Sequence, residues 1–150
     1  MKISTSLKTL MVVATLAVLT GCASTVPMAP KEQDAASKTF AAPAADQAGI
    51  YIYRNNFVGK ALKKRLMIDS VGIGETANGV YFHKTVTPGE HTLSTESEFG
   101  DNTLKFTAEG GKNYYFQQYI KMGVFVGGSG IQAVTEEVGK QNVLQCNEAK

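Results

Sequence analysis

From residue 49 onward, apolar and polar residues alternate in short runs broken by Gly, Pro and Asp/Ser pairs, the period-two pattern of β-strands. Ile50-Tyr51-Ile52-Tyr53 is β-branched and aromatic on both faces, as expected of a strand covered on both sides. Leu66-Met67-Ile68 runs into the turn pair Asp69-Ser70, and Gly72-Ile73-Gly74 returns from it. Val80, Phe82 and Val86 alternate with Tyr81, His83 and Thr85, which points one apolar row inward. Thr87-Pro88-Gly89-Glu90 has Pro and Gly where a type II turn takes them, and residues 91–97 leave it as a strand with Leu93 inward. Leu104 and Phe106 alternate in the same way, Glu109-Gly110-Gly111-Lys112 turns, and residues 114–122 return, which predicts a hairpin.

The period changes only near the end. Thr135 can N-cap a helix whose first turn carries Glu136 and Glu137, with Val138, Val143 and Leu144 beyond, so a helix is predicted over 135–146, weakened by Gly139. The expected fold is mainly β: a small antiparallel β-sandwich or partial barrel of about six to eight strands, one short C-terminal helix covering an edge or end. One domain over residues 49–150 accounts for the whole pattern.

The first 48 residues read differently. Lys2 and Lys8 flank a polar start, and residues 9–19 form an uncharged apolar run shorter than the roughly 20 residues that span a bilayer. Residues 1–21 are therefore expected to be a secretory signal peptide. Leu19-Thr20-Gly21-Cys22 matches a lipobox: Gly21 and Cys22 bound the cleavage site, and the Cys22 sulfur, as a thiolate, is the nucleophile that takes a diacylglycerol group. Residues 22–48, with three of the four prolines at 27, 30 and 43, lack apolar periodicity. They predict a disordered tether; the 26 residues 23–48 would span roughly 30 Å as a coil.

Cleavage before Cys22 leaves 150 − 21 = 129 residues and removes Lys2 and Lys8, so 15 − 2 = 13 basic residues face 13 acidic ones. A neutral chain calls for no nucleic-acid partner. Of the two cysteines, lipidation consumes one, leaving Cys146 without an intramolecular partner and expected to be buried.

Candidate chemistry is sparse. If Pro88-Gly89 forms a two-residue loop, Val86 lies opposite His91 and His83 opposite Ser94, on opposite sheet faces; only a bulge would let the two histidines share a metal. No Gly-x-Ser-x-Gly elbow is present, and the acidic pairs read as solvated faces. Residues 123–130 concentrate glycine around Val124, Phe125 and Val126, without the Lys and Ser/Thr of a phosphate loop. They read as a strand and tight turn, or as an apolar lip for a partner or a membrane surface. The basic residues Lys60, Lys63, Lys64 and Arg65, with Arg54, contrast with Glu90, Glu96, Glu98, Asp101 and Glu109, so an electrically two-sided domain is a second candidate surface for anionic headgroups or cell-wall acids. No metal or other cofactor is expected.

Taken in order, Tyr51-Ile52-Tyr53-Arg54, Asn55-Asn56-Phe57-Val58-Gly59, Met67-Ile68-Asp69, Gly79-Val80-Tyr81-Phe82, Pro88-Gly89-Glu90-His91, Gly111-Lys112-Asn113-Tyr114-Tyr115 and Lys121-Met122-Gly123 resemble the lipoprotein family catalogued as domain of unknown function "twenty-eight forty-six", over residues 49–126. The Ile68-Asp69 to Pro88-Gly89-Glu90-His91 portion is also similar to the PEGA type of small β-sandwich module. The resemblance implies a β-sandwich on a lipid tether; it brings no activity and no catalytic residue. The expected function is that of a non-enzymatic envelope lipoprotein that binds or scaffolds an envelope protein or cell-wall component. A small hydrolase or metal-dependent enzyme built on His83 and His91 is the alternative. Ala23, rather than Asp, after Cys22 points to the outer membrane, with the domain in the periplasm.

Overall fold

The strand predicted to be covered on both faces is the centre of the molecule. In the computed structural model, which describes residues 26–97, 100–123 and 127–150, β1 (Ala48–Arg54) is buried at every position. It pairs antiparallel with β4 (Val80–Val86) and parallel with β7 (Asn113–Lys121). With β8 (Gly128–Val134) and the two-residue β9 (Asn147–Glu148) these form a mixed sheet in the order β8-β7-β1-β4-β9. A second, antiparallel sheet has the order β3-β2-β5-β6, from β2 (Lys64–Ile68), β3 (Val71–Thr76), β5 (Gly89–Ser97) and β6 (Gly100–Ala108). The domain is thus mainly β, with nine strands among the described residues and the predicted short C-terminal helix, α2 (Glu136–Val143).

Between the sheets, Ile50, Ile52, Phe82 and Phe116 meet Leu66, Ile68 and Leu93. On the outer face of the five-stranded sheet a second cluster, Tyr51, Tyr53, Tyr81, Tyr115, Val143 and Cys146, lies under α2 and the N-terminal segment. This helical layer explains why β1 alternates aliphatic with aromatic residues rather than apolar with polar ones. The helix therefore covers a sheet face, not the expected edge or end. Thr135 caps it as predicted, its side chain accepting from the Val138 amide.

Three expectations are corrected. The turns at 87–90 and 109–112 do not close hairpins: β4 and β5, and likewise β6 and β7, lie in different sheets, so each turn is a crossover. Gly and Pro direct the chain to reverse, but both hydrogen-bonding edges of β4, β5 and β7 are taken by other strands, so each reversal carries the chain from one sheet to the other. His83 consequently lies opposite Tyr51 and His91 opposite Phe106, not opposite Ser94 and Val86. The turn Asp69-Ser70 does close the predicted hairpin, with both residues at positive φ, 50° and 67°.

The third correction concerns the tether. From Val26 on, the segment expected to be disordered is packed: Val26 is buried in the inter-sheet core and Met28 bridges Ala149. The helix α1 (Lys31–Ser37) is fastened to the tyrosine face through Tyr51 Oη to Ser37 O at 2.9 Å and Tyr81 Oη to Asp34 Oδ1 at 3.0 Å. Phe40 packs on Tyr51 and Tyr115 at ring separations of 5.5 and 6.2 Å. Periodicity could not reveal this, since the segment docks by a few isolated side chains and by backbone groups along a sheet edge. The expected signal peptide, Gly21 and Cys22 lie outside the described residues.

Candidate functional site

Strand directions place the ends of β1 and β7 and the starts of β2, β4 and β8 at one end of the sandwich. Loop 55–63 and the segment after Lys121 both emerge there. The end is built on Arg54. Every second residue of β1 faces the core, and Arg54 follows Ile50 and Ile52 on that side, so the strand drives a guanidinium into the interior. Its Nη1 donates to Leu62 O at 2.7 Å and, more weakly, to Thr76 O at 3.4 Å; Nη2 donates to Gly59 O. No carboxylate lies within ion-pair distance among the described residues, and Nε has no partner. Burial lowers the Arg54 pKa from its ordinary value, yet a guanidinium remains charged at any ordinary pH.

Around it the core turns polar. Thr76 Oγ1 donates to Gln118 Oε1 at 2.9 Å, and Thr95 Oγ1 lies 2.9 Å from Ser129 Oγ, all four residues being buried. Arg54 thus acts as a clamp that holds loop 55–63 by its carbonyls. Two glycines bring the neighbouring segments onto that loop. A Cβ on Gly59, which has φ of 65°, would lie within 2.9 Å of three Ile120 side-chain atoms, and one on Gly127 would lie 2.5 Å from Leu62 Cδ1.

The clamped end displays apolar side chains outward. Phe57 is 85 % exposed and Met122 91 %, with Val58 and Leu62 also exposed. Lys60 and Lys63 are exposed on the same loop, and Arg65 just beyond it. The structure therefore brings together two features that the sequence presented separately, the basic run and the segment flanking Val124, Phe125 and Val126. Those three residues lie outside the described residues. Arg54, expected among the surface cations, is corrected to an interior one, and Lys64 is buried too. Phe57 and Met122 were missed as site residues, because single apolar residues in loops carry no periodic signal.

The expected electrical two-sidedness does not hold. Glu96 and Asp101 are exposed partners at the loop end, whereas Glu90 and Glu109 are exposed at the opposite end. Acidic groups occupy both ends of the four-stranded sheet.

The histidines do not share a site. His83 lies on the outer face of the five-stranded sheet, stacked on Tyr51 at 4.2 Å, with Nδ1 3.1 Å from Ser37 Oγ. Burial lowers its pKa, which keeps it neutral at pH 7. His91 belongs to the other sheet and faces Phe106, whose ring packs tilted against core Phe116 at 4.9 Å. Its Nδ1 is 2.6 Å from Asp69 Oδ2 and its Nε2 2.8 Å from Thr87 O. Burial opposes the imidazolium, but the Asp69 carboxylate and the Thr87 carbonyl together outweigh it and raise the His91 pKa. The five-stranded sheet stands between the rings, and among the described residues no three His, Cys, Asp or Glu side chains converge as a metal would require. Cys146 is buried, as expected, and burial pushes its thiol up to about 12. No helix among the described residues is long and apolar enough to cross a membrane.

Comparison with known proteins agrees with the residues that carried the resemblance. The profile of the family described as "Protein of unknown function (DUF2846)" matches residues 44–129, from just before β1 into β8. An "Uncharacterized protein" of Haemophilus influenzae is 48 % identical over 134 residues, covering 89 % of this chain and 80 % of that protein. No solved structure matches the chain significantly. With a profile that spans more than half of its length and a relative nearly half identical, the chain belongs to the DUF2846 family of proteins of unknown function.

Proposed function

We propose that this protein is a lipid-anchored envelope component whose β-domain works as a non-enzymatic binding or scaffolding module, engaging its partner through the end built on Arg54. One observation carries the reading: Phe57 and Met122, 85 % and 91 % exposed, lie at one end of the sandwich beside exposed Val58 and Leu62. Isolated exposed apolar residues are ordinary, but several grouped at one end, three of them on a loop held by a buried clamp, form a patch of the kind that partners cover. Exposed Lys60 and Lys63 beside them supply a polar rim. The lipobox Leu19-Thr20-Gly21-Cys22 supports the anchor on Cys22, and Ala23 supports outer-membrane sorting with the domain in the periplasm. The partner is an envelope protein or a cell-wall component.

Two measurements test this. Metabolic fatty-acid labelling with mass spectrometry of the N-terminal peptide should find acyl groups on Cys22, lost in Cys22→Ser. Photo-crosslinkers placed at Lys60 and Lys63 in intact cells should capture a discrete species that the double variant Phe57→Ser, Met122→Ser no longer captures. An unmodified Cys22 sinks the anchor, and capture unaffected by the double variant sinks the binding surface.

A further inference from the structure

The packed N-terminal segment sets how the domain stands on its membrane, and this inference rests on the lipid anchor proposed above. Residues 26–29 run antiparallel to the C-terminal edge strand: Met28 bridges Ala149, Ala29 N donates to Glu148 O and Lys150 N donates to Pro27 O, both at 2.9 Å. That edge strand, β9, is parallel to β4, with Val80 level with Asn147 and Tyr81 with Glu148. Traced backwards from Ala29 to Val26, the chain therefore descends along β4 from its Val80 end toward its Val86 end. Arg54, loop 55–63 and Met122 lie at the Val80 end, since Arg54 pairs with Val80. The turns at 69–70, 87–88 and 109–112 lie at the other.

The scale of the leash follows. With Met28 opposite Ala149, Val26 falls two residues further down, about level with Lys84, which is four residues from Val80 and hence roughly 13 Å below the Arg54 level. Between Val26, buried in the core, and Cys22 there are four peptide steps, at most roughly 14 Å of fully extended chain. At Val26 the described chain is heading away from the loops, and a leash of that length, even if it doubled back, would reach no higher than their base. A coil of 26 residues would have permitted any orientation; four residues do not.

We propose that the domain rests directly on the bilayer with the turns at 69–70, 87–88 and 109–112 toward the membrane, and with Phe57, Lys60, Lys63 and Met122 turned away from it. The apolar loop end then faces the compartment into which the domain projects, and the anchoring membrane is not what covers it.

The test uses the full-length acylated protein in vesicles that contain headgroup-nitroxide lipid, with a fluorophore on Thr87→Cys or on Phe57→Cys, both exposed positions. Unsubstituted protein, whose Cys146 is buried, serves as the unlabelled control. The quenched fraction should be several-fold larger at position 87 than at position 57. Inserting about twenty Gly/Ser residues between Thr25 and Val26, a coil spanning roughly 25 Å, should bring the two positions close to equality. Equal quenching without the insertion, or stronger quenching at 57, overturns the orientation while acylated Cys22 leaves the anchor intact. A mass spectrum with Cys22 unmodified overturns the anchor and the orientation with it.

Discussion

Gly139→Ala places sequence and structure in direct opposition. In a solvent-facing helix the change should stabilise by about 1 kcal/mol, because glycine is the poorer helix former. In this protein Gly139 is buried in the middle of α2, and a Cβ there would lie within 2.6 Å of Cβ, Cγ and Cδ1 of Tyr115. Carbon atoms in contact settle at about 3.5–4.0 Å, so roughly 1 Å must be recovered. Tyr115 cannot swing clear, since the clash involves the root of its side chain, which moves only with the backbone of β7. The helix must lift from the tyrosine face, where Val143 and Cys146 are buried beside it. An overpacking cost near the upper end of the usual range, about 3 kcal/mol, less the propensity gain of about 1, leaves a net loss of about 2 kcal/mol. At about 4 °C per kcal/mol for a domain of this size, Tm should fall by about 8 °C in differential scanning calorimetry. Gly72→Ala is the control, because nothing lies within 4 Å of a Cβ there, and it should show no loss. A Gly139→Ala protein at least as stable as wild type would refute the close docking of α2.

Other substitutions test the remaining contacts. Arg54→Met keeps the bulk but strands the carbonyls of Gly59 and Leu62, so stability should fall by about 2–4 kcal/mol and trypsin should cut faster at Lys60 and Lys63; unchanged proteolysis would show that the clamp does not hold the loop. Asp69→Asn tolerates the positive φ of the turn but removes the anion beside His91, whose pKa should drop in an NMR titration. His91, raised, stabilises below its unfolded value of 6.5 and loses this as pH rises through its folded pKa, while Asp69, lowered mainly by the Thr92 amide and then by His91, stabilises above 3.8 and loses this as pH falls through its folded pKa. The stability lost in Asp69→Asn should therefore be greatest between about pH 4 and 6.5, and a loss that is flat with pH would exclude the pair as its cause. Cys146 should stay silent to a thiol reagent at pH 8 in the native protein and react once unfolded, as a buried thiol pushed up to about 12 requires.

Local chemistry settled much of this protein in advance. The two apolar faces of Ile50-Tyr51-Ile52-Tyr53, the alternation around Leu93 and Phe106, the Asp69-Ser70 hairpin and the Thr135 cap depend on neighbours within a few residues, and each is realised. Tertiary structure decided what local chemistry leaves open. A Pro-Gly or Gly-Gly turn reverses the chain equally well within a sheet or between two sheets, so the crossovers at 87–90 and 109–112 follow only from which faces bury together. Arg54 carries a charge that its own sequence places on a surface, yet burial is set by the strand's place at the centre of the sheet and by carbonyls five to twenty-two residues away. Residues 26–40 have no periodicity because they dock by isolated contacts, Phe40 on Tyr51 and Tyr115, Ser37 on Tyr51 and residues 27–29 on the C-terminal edge strand, and a contact between separate segments leaves no repeat in either.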